Sequence, residues 1–158
     1  MALTAIMISS VYAKGCIPKS NGKVTGGGQI PITDGKASFG FNAMKFSRDE
    51  KPKGELQYID HVTGMKAHAH DIETVWVWDE LLGNKPHPMA QARFTGPCTV
   101  NHESGYTFIV WTLDNGEPGK TDQFYITING PEGFYYTNPL VDDVTLLHGN
   151  IQIHKPPK

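Results

Sequence analysis

The sequence predicts an all-β fold: an antiparallel β-sandwich or barrel, jelly-roll-like, of about nine or ten strands, with an extra N-terminal strand. Two observations support this prediction. Seventeen glycines and eleven prolines divide the 158 residues at short intervals, as turns between short strands do. Apolar residues alternate with polar ones over short runs, whereas long stretches with apolar residues at helical spacing are missing.

The length and charge of the chain indicate one domain without a nucleic-acid partner. A chain of this length suits a single core, which we place at residues 23–155, with a short tail at 156–158. Glycine-bearing β-type runs at 23–30 and 148–154 mark the first and last strands. Fourteen basic residues face sixteen acidic ones, for a net charge of −2, so the basic footprint of a DNA- or RNA-binding protein is absent.

Residues 1–22 form an apolar N-terminal segment with a linker, and the segment has two interpretations. It resembles the remnant of a signal peptide, which is removed from the mature protein. Alternatively it is a strand, apolar on both faces, that is donated to another subunit. The apolar run is too short for a membrane span, which needs about 20 residues, so no transmembrane segment is expected. The candidate assembly residues are Leu3, Ala5, Ile6, Met7, Ile8, Val11 and Tyr12.

The remaining strands follow from alternation and turn signals. Asp34-Gly35 is a hairpin signal, residues 61–64 form a turn, and the proline-containing residues 79–88 form an extended loop. The two halves of the clearest hairpin are residues 106–113 and 121–129, which supply alternating apolar side chains. In chain order, the expected strands cover residues 29–33, 36–45, 55–60, 65–78, 89–95, 106–113, 121–129, 134–137 and 144–154.

The expected strand at 65–78 separates its side chains by a period of two. One face would carry His68, His70, Ile72, Thr74, Trp76 and Trp78. The other face would carry Ala67, Ala69, Asp71, Glu73, Val75 and Val77.

Six motifs in fixed order together resemble one family. They are VTGGG at 24–28, KASFGF at 36–41, YIDHVTG at 58–64, FTGPCTVN at 94–101, DNGEPG at 114–119 and GNIQIH at 149–154. The chain resembles, over about residues 23–155, the post-COAP family of small secreted or cell-surface bacterial domains. The resemblance implies an extracellular or cell-surface β domain and implies no reaction.

The chain departs from that family pattern at residues 78–89 and 133–148, which are longer than the expected short turns. Inserted loops on a scaffold are where specific contacts tend to evolve, so these two segments are candidates for a binding surface. The second segment contributes Tyr135 and Tyr136.

The three tryptophans, Trp76, Trp78 and Trp111, form a candidate sugar-binding platform if they are exposed together, because apolar sugar faces pack on indole rings. The alternative is that they belong to the core, where large aromatic side chains on strands are usually found.

Two groups of residues are candidate metal ligands. His68 and His70 share a strand face in the expected register, and His61, His102, His148 or His154 would supply a third ligand for zinc or copper. The alternative is a pair of half-exposed imidazoles that hydrogen-bond to neighbours. Oxygen atoms that suit calcium, the candidate cofactor, are concentrated in a hairpin loop at Asp114, Asn115, Glu117 and Asp122. Alternatively, these acidic side chains cap the turn by accepting backbone N–H groups.

The two cysteines, Cys16 and Cys98, fit one disulfide of a secreted protein or two unrelated thiols. Sequence does not give the distance between them, so both interpretations stay open.

The sequence contains no complete catalytic signature, so we expect a protein that is not an enzyme. The leading hypothesis is a structural or interaction protein that assembles into filaments by donating its N-terminal strand, with copies of itself or other cell-surface components as partners. A carbohydrate- or ligand-binding module is the alternative, and a metal-dependent enzyme at His68 and His70 ranks last.

Overall fold

The computed structural model describes residues 21–82, 85–116, 118–138 and 145–154. These residues form ten strands and one short 3₁₀ turn. The strands are β1 (Gly22–Ile32), β2 (Gly35–Lys45), β3 (Lys53–Asp60), β4 (Lys66–Ala69), β5 (Thr74–Leu82), β6 (Lys85–Val100), β7 (Glu103–Asp114), β8 (Gln123–Asn129), β9 (Tyr135–Thr137) and β10 (His148–His154), and the turn is Pro131–Gly133.

All ten strands belong to one antiparallel sheet that curls into a half-barrel. The strand order is β10-β1-β2-β3-β4-β6-β7-β8-β9, and β5 pairs with β6 beside this path. The sequence-based prediction of an all-β antiparallel fold with about nine or ten strands is therefore confirmed. The extra N-terminal strand falls outside the described residues.

The first and last strands, marked in the sequence by their glycines, are neighbours in the sheet. Strand β1 pairs with β10 from Lys23 opposite His154 to Gln29 opposite His148. Gly28 lies so close to β10 that a Cβ atom there would be 2.4 Å from the carbonyl oxygen of His148. A larger residue at this position would therefore push the two strands apart.

Alternation along the strands produces the core, because every second side chain faces the inside of the curled sheet. Aromatic rings fill its centre. Phe124 stacks on Phe39 with ring centroids 4.0 Å apart and an angle of 6° between the ring planes, and Phe41 packs beside both. Tyr58 and Phe94 complete this cluster. Burying these large rings removes much apolar area from water, and this burial stabilises the fold.

The prediction of one long strand at 65–78 is wrong, because residues 70–73 interrupt it and leave two separate strands, β4 and β5. Both strands lie along the same side of β6, and the backbone between them approaches Gly96, where a Cβ atom would be 2.3 Å from the carbonyl oxygen of Asp71. The break interrupts the period of two. Ile72 is buried instead of lying on the exposed face with His70, whereas Asp71 and Glu73 are exposed.

The expected extended loop at 79–88 is also wrong, because β5 extends to Leu82 and the paired strand β6 begins at Lys85. Leu82 pairs with Lys85 and Leu81 with Pro86, with a register shift next to Asp79. The prolines favoured a loop in the sequence because they remove ladder donors. The pairing of β5 with β6 nevertheless extends through these residues.

The strands expected at 36–45, 55–60, 106–113, 121–129 and 134–137 match the structure to within three residues at each end. The strands expected at 29–33 and 89–95 are wrong in extent. Strand β1 already begins at Gly22, because its glycine-rich half pairs with β2 and β10, and β6 runs from Lys85 to Val100. The hairpin turn before Gly35 includes Asp34, which has a positive φ of 64°, and residues 61–64 form the expected turn. The predicted hairpin of residues 106–113 and 121–129 corresponds to β7 and β8. The last strand begins at His148, later than expected, although Thr145 makes an isolated bridge to Gln123.

We predict that Phe124→Ala lowers the free energy of unfolding by about 3–5 kcal/mol, because it removes a fully buried ring and leaves a cavity. Urea unfolding followed by circular dichroism would measure the loss. Phe46→Ala is the matched control, since Phe46 is 41% exposed and should change stability by less than about 0.5 kcal/mol. If the two substitutions lowered stability equally, the conclusion that the buried aromatic cluster stabilises the fold would be wrong.

Candidate functional site

The outer surface of strands β5 to β8 carries a continuous row of large side chains. Directly paired residues place Trp76 beside Arg93, Arg93 beside Trp111 and Trp111 beside Tyr125. Trp78 follows Trp76 at the next outward position of β5. We call these five residues the tryptophan face.

The three indole rings of the tryptophan face lie nearly parallel and close together. The ring centroid of Trp78 is 6.5 Å from that of Trp76, with 19° between the planes, and 5.7 Å from that of Trp111, with 15° between the planes. The Arg93 guanidinium carbon lies 5.4 Å from the centroid of the Trp111 ring, within cation–π range. Trp76 is 36% and Trp111 42% exposed.

The structure therefore brings together the three tryptophans that the sequence proposed as a platform. The alternative prediction, that the three tryptophans belong to the core, is wrong, since Trp76 and Trp111 are exposed and Trp78 is half-buried. The inner face of the same strands is filled by smaller side chains such as Val75 and Val77.

Tyr135 and Tyr136, the other candidates for a ligand surface, lie apart from the tryptophan face. In the β8–β9 pairing they stand opposite Asn129 and Ile128, whereas Trp111 stands opposite Tyr125. Both tyrosines line a separate pocket of about 390 Å³. The candidate ligand residues thus divide into two sites.

A chain of hydrogen bonds behind that pocket includes a buried carboxylate. Asp60, at the end of β3, is 3% exposed, and its Oδ1 accepts the backbone N–H groups of Val62 and Thr63. Its Oδ2 accepts the Tyr136 hydroxyl at 3.1 Å. Because Tyr136 uses its proton in that bond, Tyr58 donates the 2.7 Å bond between the two hydroxyl oxygens.

The environment shifts the pKa values of all three groups. Burial pushes the pKa of Asp60 upward, but the N–H groups of Thr63 and Val62 and the Tyr136 hydroxyl outweigh it and hold that pKa below 3.8. Burial raises the pKa of Tyr136 to about 12. Burial, followed by the bond to Tyr136, raises the pKa of Tyr58 far above its ordinary value. At neutral pH the network is one carboxylate with two neutral phenols.

The carboxylates of the candidate calcium loop hold backbone groups. Asp122 is fully buried and accepts N–H groups from Asn115 at 2.9 Å and Ile151 at 2.8 Å. Asp114 accepts those of Gly116 and Ile153. These contacts agree with the alternative interpretation, in which the acidic side chains accept backbone N–H groups.

Of the remaining loop candidates, Asn115 also makes a hydrogen bond within the loop. The Asn115 side-chain amide donates to the carbonyl oxygen of Thr121 at 2.6 Å, and Glu117 falls outside the described residues. Ile151 and Ile153 belong to β10, so the two aspartates attach the edge of this last strand to the β7–β8 hairpin.

The candidate histidine site consists of two touching rings. His68 and His70 have ring centroids 4.1 Å apart at an angle of 65°. His68 and His102 line a pocket of about 210 Å³. Even so, nowhere in the described ranges do three His, Cys, Asp or Glu side chains gather as a set of metal ligands.

The other candidates from the sequence are less constrained. Cys98 carries a free, buried thiol, and burial raises its pKa to about 11; Cys16 lies outside the described residues, so the disulfide stays a prediction. The candidate assembly residues at 3–12 also lie outside them. In the part of the chain that the structure describes, no helix is long and apolar enough to cross a bilayer.

Sequence reasoning missed three residues that organise these sites. Asp60 had a local signal, because an aspartate that ends a strand before a turn commonly accepts N–H groups two or three residues later. Arg93 had none, since its contact with Trp111 depends on strand pairing. Asn138, 1% exposed, accepts the N–H of Ile126 and donates to the carbonyl oxygen of Phe124, and no sequence motif announces it.

In comparisons with known proteins, no family model, curated protein or solved structure matches the chain. Membership of the post-COAP family and an extracellular location stay predictions.

We predict that Asp122→Ala lowers the free energy of unfolding by about 2–5 kcal/mol, because it leaves two buried or half-buried N–H groups without an acceptor. Thermal and urea unfolding would measure this, with Asp49→Ala, in an exposed loop, as the control. If both variants melt alike, the attachment of β10 contributes nothing to stability.

The wild-type protein should melt at the same temperature with calcium and with EGTA, because the loop carboxylates already bind backbone N–H groups. A clear increase of the melting temperature with calcium would support the ion site instead.

A second prediction concerns acid stability. Since the pKa of folded Asp60 is lower than its ordinary value of 3.8, its ionised form stabilises the fold above about pH 4, and this contribution disappears as the pH falls through the folded pKa. The stability difference between wild type and Asp60→Asn should therefore be largest near neutral pH and shrink below pH 4. Urea unfolding between about pH 7 and 2 would test it. A difference that does not vary with pH would contradict the assignment.

Proposed function

We propose that the protein is a carbohydrate-binding module that holds its ligand on the tryptophan face. The observation that supports this most is the set of three nearly parallel indole rings that stack beside one another on the outer face of the sheet. Exposed tryptophan is rare on protein surfaces, and exposed apolar clusters commonly mark binding sites.

The chemistry of the tryptophan face suits a sugar. The C–H groups on the face of a pyranose ring are apolar and slightly positive, so they pack on the electron-rich face of an indole. The hydroxyl groups at the sugar's edge then need hydrogen-bond partners. Arg93, between Trp76 and Trp111 in the row, has several N–H donors, and Tyr125 adds a hydroxyl group that accepts a bond from Thr137 at 2.7 Å.

The position of the tryptophan face on paired strands also supports binding. The strands that carry it are fixed from behind by the core, and a rigid surface loses little conformational entropy when a ligand docks. An extracellular or cell-surface location, as the family resemblance implies, would place such a module among glycans.

We predict that oligosaccharide binding changes the intrinsic fluorescence and that Trp111→Ala weakens binding at least tenfold, or about 1.4 kcal/mol. All three tryptophans of the chain lie on the tryptophan face, so the whole tryptophan signal reports on it. A glycan array would find the ligand class, and titration with cello-, chito- and hyaluronan oligosaccharides would measure affinity.

Phe46→Ala is the control, because it removes an exposed aromatic side chain elsewhere on the protein and should leave binding unchanged. If natively folded protein binds none of the array glycans and none of these oligosaccharides at millimolar concentration, the proposal is wrong. An equal loss in both variants would also reject it.

A further inference from the structure

The pocket of about 390 Å³ beside β9 has aromatic walls. Four of its residues are Tyr106, Phe134, Tyr135 and Tyr136, and buried Met65 contributes an apolar surface. Tyr135 is 63% exposed, so the pocket opens to solvent at its ring. This site is separate from the tryptophan face.

The 3₁₀ turn positions two of these rings. Gly130 donates its N–H to the carbonyl oxygen of Phe134 and Phe134 donates to that of Pro131, both at 3.0 Å. A Cβ atom at Gly130 would be 2.3 Å from Cδ1 of Tyr106, so only glycine lets the Tyr106 ring lie against the turn. Phe134 then meets Tyr106 edge to face, with centroids 5.3 Å apart and an angle of 87°. Two aromatic surfaces at a right angle form a corner of the pocket.

The charge around the pocket is negative. Apart from its tyrosines, the one ionisable side chain in the described lining is Glu103, and no Lys, Arg or His of the described chain lines it. A second carboxylate, Asp60, lies directly behind Tyr136, 3.1 Å from its hydroxyl oxygen. Aromatic faces carry partial negative charge as well.

We propose that this pocket is an aromatic cage that binds a quaternary ammonium group, such as the trimethylammonium head of choline. Such a cation has a methyl-covered surface that packs on aromatic rings, and its diffuse charge is attracted to their faces without needing a hydrogen-bond acceptor. Glu103, an exposed residue of the lining, adds long-range attraction. A neutral ligand of the same shape would fill the space but gain nothing from the charge.

The experiment compares choline with 3,3-dimethylbutan-1-ol, its neutral isostere, by titration of the ¹⁵N-labelled protein followed by NMR. Choline should shift the amide signals of residues 103–106 and 134–136 and bind at least about fivefold more tightly than the neutral alcohol. Equal binding of both compounds would show an apolar pocket without charge selection and overturn the proposal. Absence of shifts at tens of millimolar choline would overturn it too.

Two variants test the residues themselves. Tyr135→Leu and Glu103→Gln alter exposed side chains, so both should fold, and each should weaken choline binding about two- to fivefold while leaving binding of the neutral alcohol nearly unchanged. Trp111→Ala is the matched control and should bind choline as wild type does, which also separates this site from the carbohydrate proposal. Unchanged choline affinity in both cage variants would reject the cage.

Discussion

The alternation of side chains where β5 to β8 pair directly, around Val75 and Phe94, is the constraint on which the rest of the molecule depends. Val75, Phe94, Val110 and Ile126 pair directly with one another along the sheet, and each is 2% exposed or less. Their burial fixes the register, because a slip by one residue would turn this whole row to solvent. The row that includes Trp76, Arg93 and Trp111 is thereby held on the outside. One strand register therefore determines both which side chains form the core and which form the proposed binding face.

Much of this architecture could be predicted because alternation and turn chemistry are local. Asp34 occupies a backbone conformation with positive φ, which aspartate tolerates, and the β7–β8 hairpin follows from its own apolar pattern. The failures are non-local. At the break between β4 and β5 the backbone of Asp71 lies close to Gly96 of β6, and no pattern within residues 65–78 indicates that contact.

The candidate sites show the same division. The tryptophans could be named from the sequence, but their exposure follows from which face the core occupies, and the contact of Arg93 with Trp111 follows from strand pairing. The acidic loop had the right residues and two interpretations. The burial of Asp122 and its bond to Ile151 join residues distant in sequence, so spacing alone could not decide between an ion and a backbone donor.

The pairing of β1 with β10 has a consequence for engineering. Because Lys23 stands opposite His154, the chain enters and leaves the sheet at neighbouring points, roughly one interstrand spacing of 5 Å apart. A short bridge across that gap would allow the order of the strands to be circularly permuted, with new ends opened in the exposed loop at residues 47–51, between β2 and β3. The same geometry suits insertion of the whole unit into a surface loop of a host protein, since its two connections would leave side by side.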